Sequence, residues 1–174
     1  MKIRRPIKIQ IDKLTNSIEE PDSGKCHETL VLPLSVADLK TFKKSSWLFD
    51  WREEHSHRER CVFKLVLLEQ PNTIQGLVSL QDKGDHIYMH LIESSKANRG
   101  PSKQFVGIPG NLIAFGCKTS FEKGYEGYLS FESKTKLVTH YKNILGAEVL
   151  FGNVMIINSF AAKNLVDRYF QKKG

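Results

Sequence analysis

Cysteine is scarce in this 174-residue sequence, which contains only three. Cys26, Cys61 and Cys117 are far apart, odd in number and without CxxC spacing, which argues against a disulfide framework and a zinc knuckle. Cys117 lies in the apolar run LIAFGC, and we predict that it is a small core residue. Because burial without a cationic neighbour raises the pKa of a thiol, Cys117 is a poor candidate for a nucleophile.

Long hydrophobic runs are absent as well. The sequence has no stretch of about 18 apolar residues, so we expect no membrane-spanning helix. Its first residues, MKIRRPIKIQIDK, are positively charged but lack the apolar stretch of about 7–15 residues that a signal peptide needs. We therefore expect a cytoplasmic protein with no membrane partner.

Familiar catalytic patterns are also missing. The sequence shows no Walker motif, no HExxH motif and no Ser-His-Asp pattern. His55 and His57 stand close together in HSH, but two histidines without a third ligand are weak evidence for a metal site. We predict that the protein holds no metal.

What the sequence does contain is typical of one globular domain over residues 1–174. Hydrophobic residues make up 40% and charged residues 26%, and a chain of this length buries a core without cross-links. The formal net charge is +7, and residues 94–121 contribute four basic side chains and no acidic one. Because this basic stretch contains a glycine loop, it favours a site for a phosphate-bearing cofactor over a nucleic-acid surface.

The first half of the sequence predicts mainly strands. Apolar alternation and short apolar runs indicate strands at 3–11, 28–34, 61–68, 73–81 and 86–93. The last three are separated by tight turns and should form an antiparallel meander. Ser35 is a suitable N-cap for a helix over 35–44. Residues 15–27 should form a polar loop, and residues 47–60 fit either a short helix or an ordered loop.

The second half predicts alternating helices and strands. We expect a long basic connection at 94–110, a helix at 111–124, a strand at 125–133, a helix at 134–145, a hairpin at 147–158 and a helix at 159–173. Gly124 and Gly146 should end their helices, and Ser159 should cap the last one, which finishes in lysines. A strand, a crossover helix and a neighbouring strand form a parallel, right-handed unit. The fold class is therefore a mixed α/β sheet.

The connection at 94–110, before the predicted helix at 111–124, contains the residues best suited to bind a ligand. Glycines at 107 and 110 let the backbone approach a phosphate, and the helix N-terminus adds free N–H groups and partial positive charge. Lys96, Arg99 and Lys103 precede them and supply further positive charge. The alternative is a surface loop whose glycines merely permit a turn and whose lysines keep it soluble.

Three segments resemble the GNAT superfamily of N-acetyltransferases over about residues 61–158. The segment HLIESSKANRG is similar to the family's strand-to-loop transition, and QFVGIP at 104–109 is similar to its Gln/Arg-x-x-Gly-x-Gly/Ala loop, with Gly110 one position late. The segment GYLSFESKTKLVTHYKNILGAE resembles the next strand and helix, with Tyr141 and Gly146 in the family's Tyr-to-Gly signature. Residues 1–60 form a divergent N-terminal part, and residues 159–174 add a C-terminal helix.

The sequence departs from the family pattern in three places. Pro109 stands where the family has a small residue, and proline has no backbone N–H to offer a phosphate. One extra residue separates Tyr141 from Gly146, and the loop from Ser94 to Val106 is longer than usual. The resemblance therefore suggests an atypical member with a degenerate pyrophosphate loop.

The resemblance implies a mostly antiparallel central sheet flanked by helices, with one parallel strand pair whose splay receives acetyl-CoA. It further implies a set of coenzyme-binding residues in the strand end, the loop and the helix start: Leu91, Ile92, Glu93, Arg99, Lys103, Gln104, Gly107, Ile108, Gly110, Asn111 and Leu112.

Two residues are expected to be catalytic if the resemblance holds. Tyr141 would act as the general acid for the leaving thiolate, although it also fits a half-buried helix aromatic. Glu93 would be the general base, with a pKa raised by partial desolvation, although it also fits an ion pair with a loop lysine. His140 lies on a different helical face from Tyr141 and is expected to be exposed.

The implied activity is direct transfer of an acetyl group from acetyl-CoA to an amine, which is either a small molecule or a protein group. A catalytically silent binding or regulatory module is the alternative. An RNA-associated protein is a weaker one, suggested by the net charge and by Trp47, Phe49 and Trp51 among charged residues. These aromatics fit a segment packed on the sheet better. Residues 40–60 are expected to shape the acceptor side, and a homodimer through the sheet edge or the C-terminal hairpin is compatible with the sequence.

Overall fold

The computed structural model describes residues 6–15, 17–43 and 45–170. Within this part of the chain, seven strands form one sheet in the spatial order β3-β4-β5-β6-β7-β9-β8, and β1 pairs with β2 separately. The strands are β1 Ile18–Glu19, β2 Cys26–His27, β3 Thr29–Pro33, β4 Cys61–Leu67, β5 Gln70–Asp82, β6 Ile87–Ser94, β7 Leu129–Glu132, β8 Glu148–Phe151 and β9 Val154–Ile157. The helices are α1 Val36–Lys40, α2 Trp51–Ser56, α3 Ile108–Glu122, α4 Val138–Leu145 and α5 Ser159–Phe170.

The predicted meander is confirmed, because β3 to β6 are antiparallel neighbours in chain order. The hairpin of β8 and β9 is confirmed as well. Ser35 caps α1 in a capping box with Asp38, and Gly146 ends α4 in the left-handed conformation at φ 70°. The undecided segment 47–60 contains the short helix α2, which Asp50 caps.

The predicted parallel unit is present as β6, α3 and β7. These two strands pair only at Ile87↔Leu129 and Tyr88↔Ser130. Beyond Tyr88, β6 continues to Ser94 without a β7 partner among the described residues, so the strands diverge toward their carboxyl ends. This divergence opens the part of the molecule in which the candidate site lies.

Helix α3 begins three residues earlier than predicted. Gly107 adopts φ 94°, a left-handed conformation that glycine tolerates, and it caps the helix. Pro109 lies in the first turn, where a helix does not use its backbone N–H groups, so the proline fits within the helix. The start of α3 lies beside the end of β6, since a Cβ on Gly76 would meet both Ile108 and the carbonyl oxygen of Glu93.

Two hydrophobic clusters cover the two faces of the sheet. The larger one packs α3, α4 and α5 against the strands, and it contains Cys117 as predicted, whose thiol pKa is raised by burial. The smaller one surrounds Trp51 and includes Leu91 and Leu77. Helices on both faces give the mixed α/β class that the sequence predicted.

Two predictions for the N-terminal part of the chain are corrected. Residues 3–5 lie outside the described residues, and 6–11 are extended but form no strand, since only Ile7 pairs, in an isolated parallel bridge with Ser133. The predicted loop at 15–27 contains β1 and β2.

The predicted cap of the last helix is also wrong. Asn158 supplies the capping oxygen to the Ala161 N–H, so Ser159 is the first helical residue and not the cap. The lysines expected after this helix, Lys172 and Lys173, lie outside the described residues. Among the helices that the structure describes, none is long and apolar enough to cross a membrane.

Candidate functional site

A cleft of about 330 Å³ lies where β6 diverges from β7. One side is formed by the end of β6 and the basic loop after it, with Glu93, Arg99 and Lys103. The opposite side is formed by residues 8–10, and Leu48 and Phe49 contribute an apolar rim. Three cationic side chains, Lys8, Arg99 and Lys103, therefore surround one partly apolar opening.

Residues 7–15 form a segment without helix or strand, apart from the bridge at Ile7, that we call the strap. The Ile7 N–H donates to the carbonyl oxygen of Glu132 at 2.6 Å, and the Lys134 N–H donates to the Ile7 carbonyl at 3.1 Å. The strap thus lies beside the carboxyl end of β7, at the edge that faces β6 and that β6 no longer pairs with. Ile7 and Ile11 are buried in the main core and hold the strap there.

Helix α4 holds the middle of the strap through two neighbouring side chains. The Tyr141 hydroxyl donates to the carbonyl oxygen of Ile9. The Ile11 N–H donates to Nε2 of His140 at 2.9 Å, so the prediction that His140 is exposed is wrong. Tyr141 is fully buried, and burial raises the pKa of its phenol. In this conformation Tyr141 faces the strap backbone and not an open cleft.

Asp12 brings the strap to the start of α3. Its Oδ1 accepts the N–H of Gly107 at 3.3 Å, and its Oδ2 pairs with Nζ of Lys103 at 3.0 Å. The N-terminus of a helix favours a negative charge, because its N–H groups point outward and the helix dipole is positive there. A carboxylate of the chain itself therefore occupies the anion position that the sequence assigned to a pyrophosphate.

Both glycines at the start of α3 are contacted from outside the helix. A Cβ on Gly107 would lie 2.3 Å from Oγ1 of Thr15. A Cβ on Gly110 would lie 2.2 Å from the hydroxyl of Tyr169, which accepts the N–H of Thr15 at 3.1 Å. The space that glycine leaves is therefore taken by the strap and by α5.

These contacts decide whether acetyl-CoA fits this conformation. Its pyrophosphate would need the Gly107 N–H and Lys103, and Asp12 already binds both. The start of α3 therefore does not fit the coenzyme while the strap is in place, although the glycines, the basic loop and the diverging strands are those that such a site requires.

Four of the predicted coenzyme residues line the cleft, namely Ile92, Glu93, Arg99 and Lys103. Gly107 and Gly110 contact the strap region instead, as described. The other predicted side chains lie elsewhere: Leu91 in the smaller cluster, Ile108 and Leu112 in the main core, Asn111 buried against Thr29, and Gln104 on the loop with its N–H bound to Ala97. The side chains of Leu91, Ile108, Asn111 and Leu112 are buried, so only their backbone groups could meet a ligand, whereas the side chain of Gln104 is exposed.

Glu93 is buried and bound by four donors. Its carboxylate accepts the N–H groups of Leu48 at 2.7 Å and Phe49 at 3.2 Å, the indole N–H of Trp51 at 2.9 Å, and Nη1 of Arg99 at 3.4 Å. A carboxylate offers about four acceptor positions, so this set uses its capacity. Glu93 thus fixes residues 47–51, which we call the wall, and its only ion-pair partner among the described residues is an arginine, not a lysine.

Two positions in the site carried no recognisable signal in the sequence. Asn98 is buried and organises the basic loop: Nδ2 donates to Oε1 of Gln75 and to Oγ of Ser95, both at 2.8 Å, and Oδ1 accepts the N–H of Phe105 at 2.9 Å. Asp12 is an ordinary acidic residue in a polar stretch. Neither role can be found without knowing which distant segment each residue meets.

The chain is similar in fold to solved structures. No protein-family model matches it, and no curated protein is similar in sequence. A chain of the KacTA–DNA complex is 12% identical with a TM-score of 0.53, and a chain of AtaTR bound with AcCoA is 13% identical with a TM-score of 0.53. Each comparison covers 79% of this chain and 98% of the other. The spermidine/spermine N-acetyltransferase SpeG from Vibrio cholerae, in complex with manganese ions, is 16% identical over 79% of this chain and 96% of its own, with a TM-score of 0.49.

The fold is therefore GNAT-like, as the sequence predicted: a mostly antiparallel seven-stranded sheet with one parallel pair and helices on both faces. At these identities the likeness concerns the fold, and the activity must be argued from the site.

Proposed function

We propose that this protein is an acyltransferase that moves an acetyl group from acetyl-CoA to an amine by direct transfer. The observation that carries the proposal is the divergence of β6 and β7 next to the glycine-capped start of α3. A basic loop connects the two, so an opening between strands leads to a helix N-terminus that attracts anions. The AcCoA held by the AtaTR neighbour is consistent with this choice of ligand.

The wall supports an acceptor site at the apolar rim of the cleft. Leu48 is 69% exposed, and Phe49 lies under the Nζ of Lys8 at 5.3 Å from its ring centre. Trp51 is buried with its indole N–H on Glu93, so it is not a surface for stacking bases. We therefore propose an amine acceptor in place of RNA, although the KacTA neighbour is in a complex with DNA.

The catalytic roles that the sequence suggested stay predictions. Tyr141 can donate a proton to a leaving group only after its hydroxyl leaves the carbonyl of Ile9. Glu93 can act as a base only if it gives up donors of the wall. We also propose a cytoplasmic location, no metal, and an acceptor that is either a small amine or a protein amine.

Calorimetric titration with acetyl-CoA tests the proposal. The protein should bind with micromolar affinity, and the double variant Lys103→Ala, Gly107→Val should lose binding, because a valine at φ 94° distorts the helix cap. Lys163→Ala is a matched control, since Lys163 is exposed on α5 and pairs with Asp167. Circular dichroism checks that each variant is folded.

Turnover is tested by thiol release with a panel of primary amines. Binding accompanied by thiol release supports an acyltransferase. Binding without release from any amine supports the silent binding module. Absence of binding, both by the native protein and by variants in which residues 7–15 are loosened, contradicts both.

A further inference from the structure

The strap makes the contacts that the proposed coenzyme would need. Asp12 places a carboxylate against the N–H of Gly107 and the ammonium of Lys103, which are the groups suited to a pyrophosphate. Phosphate oxygens and carboxylate oxygens are both anionic acceptors, so one can replace the other at these donors. This argument rests on the proposed function, because it concerns the same site.

The strap backbone also takes a place in the gap between the strands. Its residues 7–9 run parallel to the end of β7, through the bridge between Ile7 and Ser133 and the bond from Tyr141 to Ile9. An extended ligand entering between β6 and β7 would compete for the same edge. The strap therefore covers both the anion position and the approach to Tyr141.

The strap pairs with the central sheet at one position only among the described residues. It contributes no strand to the seven-stranded sheet, and its bonds to that sheet are confined to the single bridge at Ile7. Its other bonds go to side chains of α4 and α5 and to the start of α3, so the strap can leave the gap without breaking a strand ladder. The buried residues Ile7, Ile11 and Thr15 oppose this opening and keep the closed form populated.

We propose that the strap is an autoinhibitory segment: Asp12 occupies the pyrophosphate position, and acetyl-CoA binds only to molecules whose strap has left the gap. The apparent dissociation constant is then the intrinsic one divided by the fraction of open molecules. Substitutions that loosen the strap increase that fraction and tighten binding, whereas substitutions of the site itself weaken it.

The test compares three full-length variants with the native protein in calorimetric titrations with acetyl-CoA. Asp12→Ala removes the competing carboxylate, and Ile11→Ala loosens the strap without changing charge. Both should bind about tenfold more tightly than the native protein. Asp22→Ala, in the exposed turn between β1 and β2, removes the same charge away from the strap and should bind as the native protein does.

Hydrogen exchange on the native protein gives a second readout that needs no variant. The N–H groups of Ile7 and Ile11 are bonded to Glu132 and His140, and they should be protected in the free protein. Saturating acetyl-CoA should abolish that protection. This measurement holds even if Ile11→Ala fails to fold.

The outcomes separate the two proposals. If native and variant proteins bind equally, and acetyl-CoA leaves the strap amides protected, the coenzyme site stands and the autoinhibitory strap is wrong. Tighter binding by Asp12→Ala but not by Ile11→Ala, with the amides still protected, would reduce the effect to charge alone and also overturn the strap. If no protein binds, including the loosened variants, the proposed function fails and the strap has nothing to inhibit.

Discussion

The two sides of the cleft are each held by one carboxylate, but in different ways. Glu93 binds three donors of the wall and also Arg99 of the basic loop, and its side chain is 3% exposed. Asp12 fixes the strap to α3 with one backbone N–H and one lysine, and its side chain is 13% exposed. A buried carboxylate with many donors makes a permanent part of a fold, whereas a partly hydrated one can exchange its donors with another anion. The comparison indicates that the wall is held more firmly than the strap.

The largest expected effect is the loss of stability on removing Glu93. Glu93→Ala leaves the N–H groups of the wall and the guanidinium of Arg99 without their acceptor, and it should lower the free energy of unfolding by about 3 kcal/mol. Asp12→Ala should cost less than about 1 kcal/mol, because Lys103 is 27% exposed and water can replace the carboxylate at its ammonium group. Urea unfolding of both variants measures this, and equal losses would contradict the distinction between wall and strap.

Substitution of Tyr141 tests how firmly the strap is held, because its hydroxyl binds the strap at Ile9. Tyr141→Phe keeps the ring against Phe131 but removes the hydroxyl that binds Ile9. If Tyr141 is the general acid, turnover should fall by about 100-fold, while acetyl-CoA should bind more tightly because the strap is looser. Tyr125→Phe is the matched control, since that hydroxyl binds Asp82 on the surface. Unchanged turnover with a looser strap would leave Tyr141 as a strap anchor alone.

The smallest expected effect concerns the hairpin that follows the strap. The protonated ring of His27 donates hydrogen bonds to the carboxylates of Glu20 and Glu69, and these bonds raise the pKa of His27 above its ordinary value near 6.5. Because the folded-state pKa is the higher one, this stabilisation is complete below about pH 6.5 and is lost as pH rises through the raised value. His27 also packs edge-on against Phe105 of the basic loop.

Thermal unfolding across the pH range checks this prediction. The native protein should exceed His27→Gln in melting temperature most at about pH 6, and the difference should shrink toward pH 9. A difference that is constant over this range would assign the effect to packing on Phe105 and not to charge.

Part of the fold could be predicted from local pattern alone. The caps at Ser35 and Gly146 and the strands of the meander are indicated by neighbouring residues, and the structure confirms them. The start of α3 differs from the prediction because a proline after glycine is typical of a connection, whereas Pro109 occupies a helical position that needs no N–H.

The role of Glu93 could be predicted only in part from the residues near it in the chain. Its place at the end of a strand beside the cleft was predicted, and the structure places it there. Three of its four donors come from residues 48–51, more than 40 positions earlier, and nothing near Glu93 in the chain indicates that they converge on it. The same holds for the alternating residues at 6–11, whose period suggests a strand although only Ile7 finds a pairing edge.

The amino-acid sequence by itself determined the order of the main helices and strands, the meander and the parallel crossover, because periodicity and capping act between residues close in the chain. Only the tertiary structure decided what meets the start of α3. Asp12 and Gly107 are 95 positions apart, and their contact depends on how the strap packs against β7 and α4. A carboxylate meets a helix N-terminus there because the fold brings a negative charge and free N–H groups together.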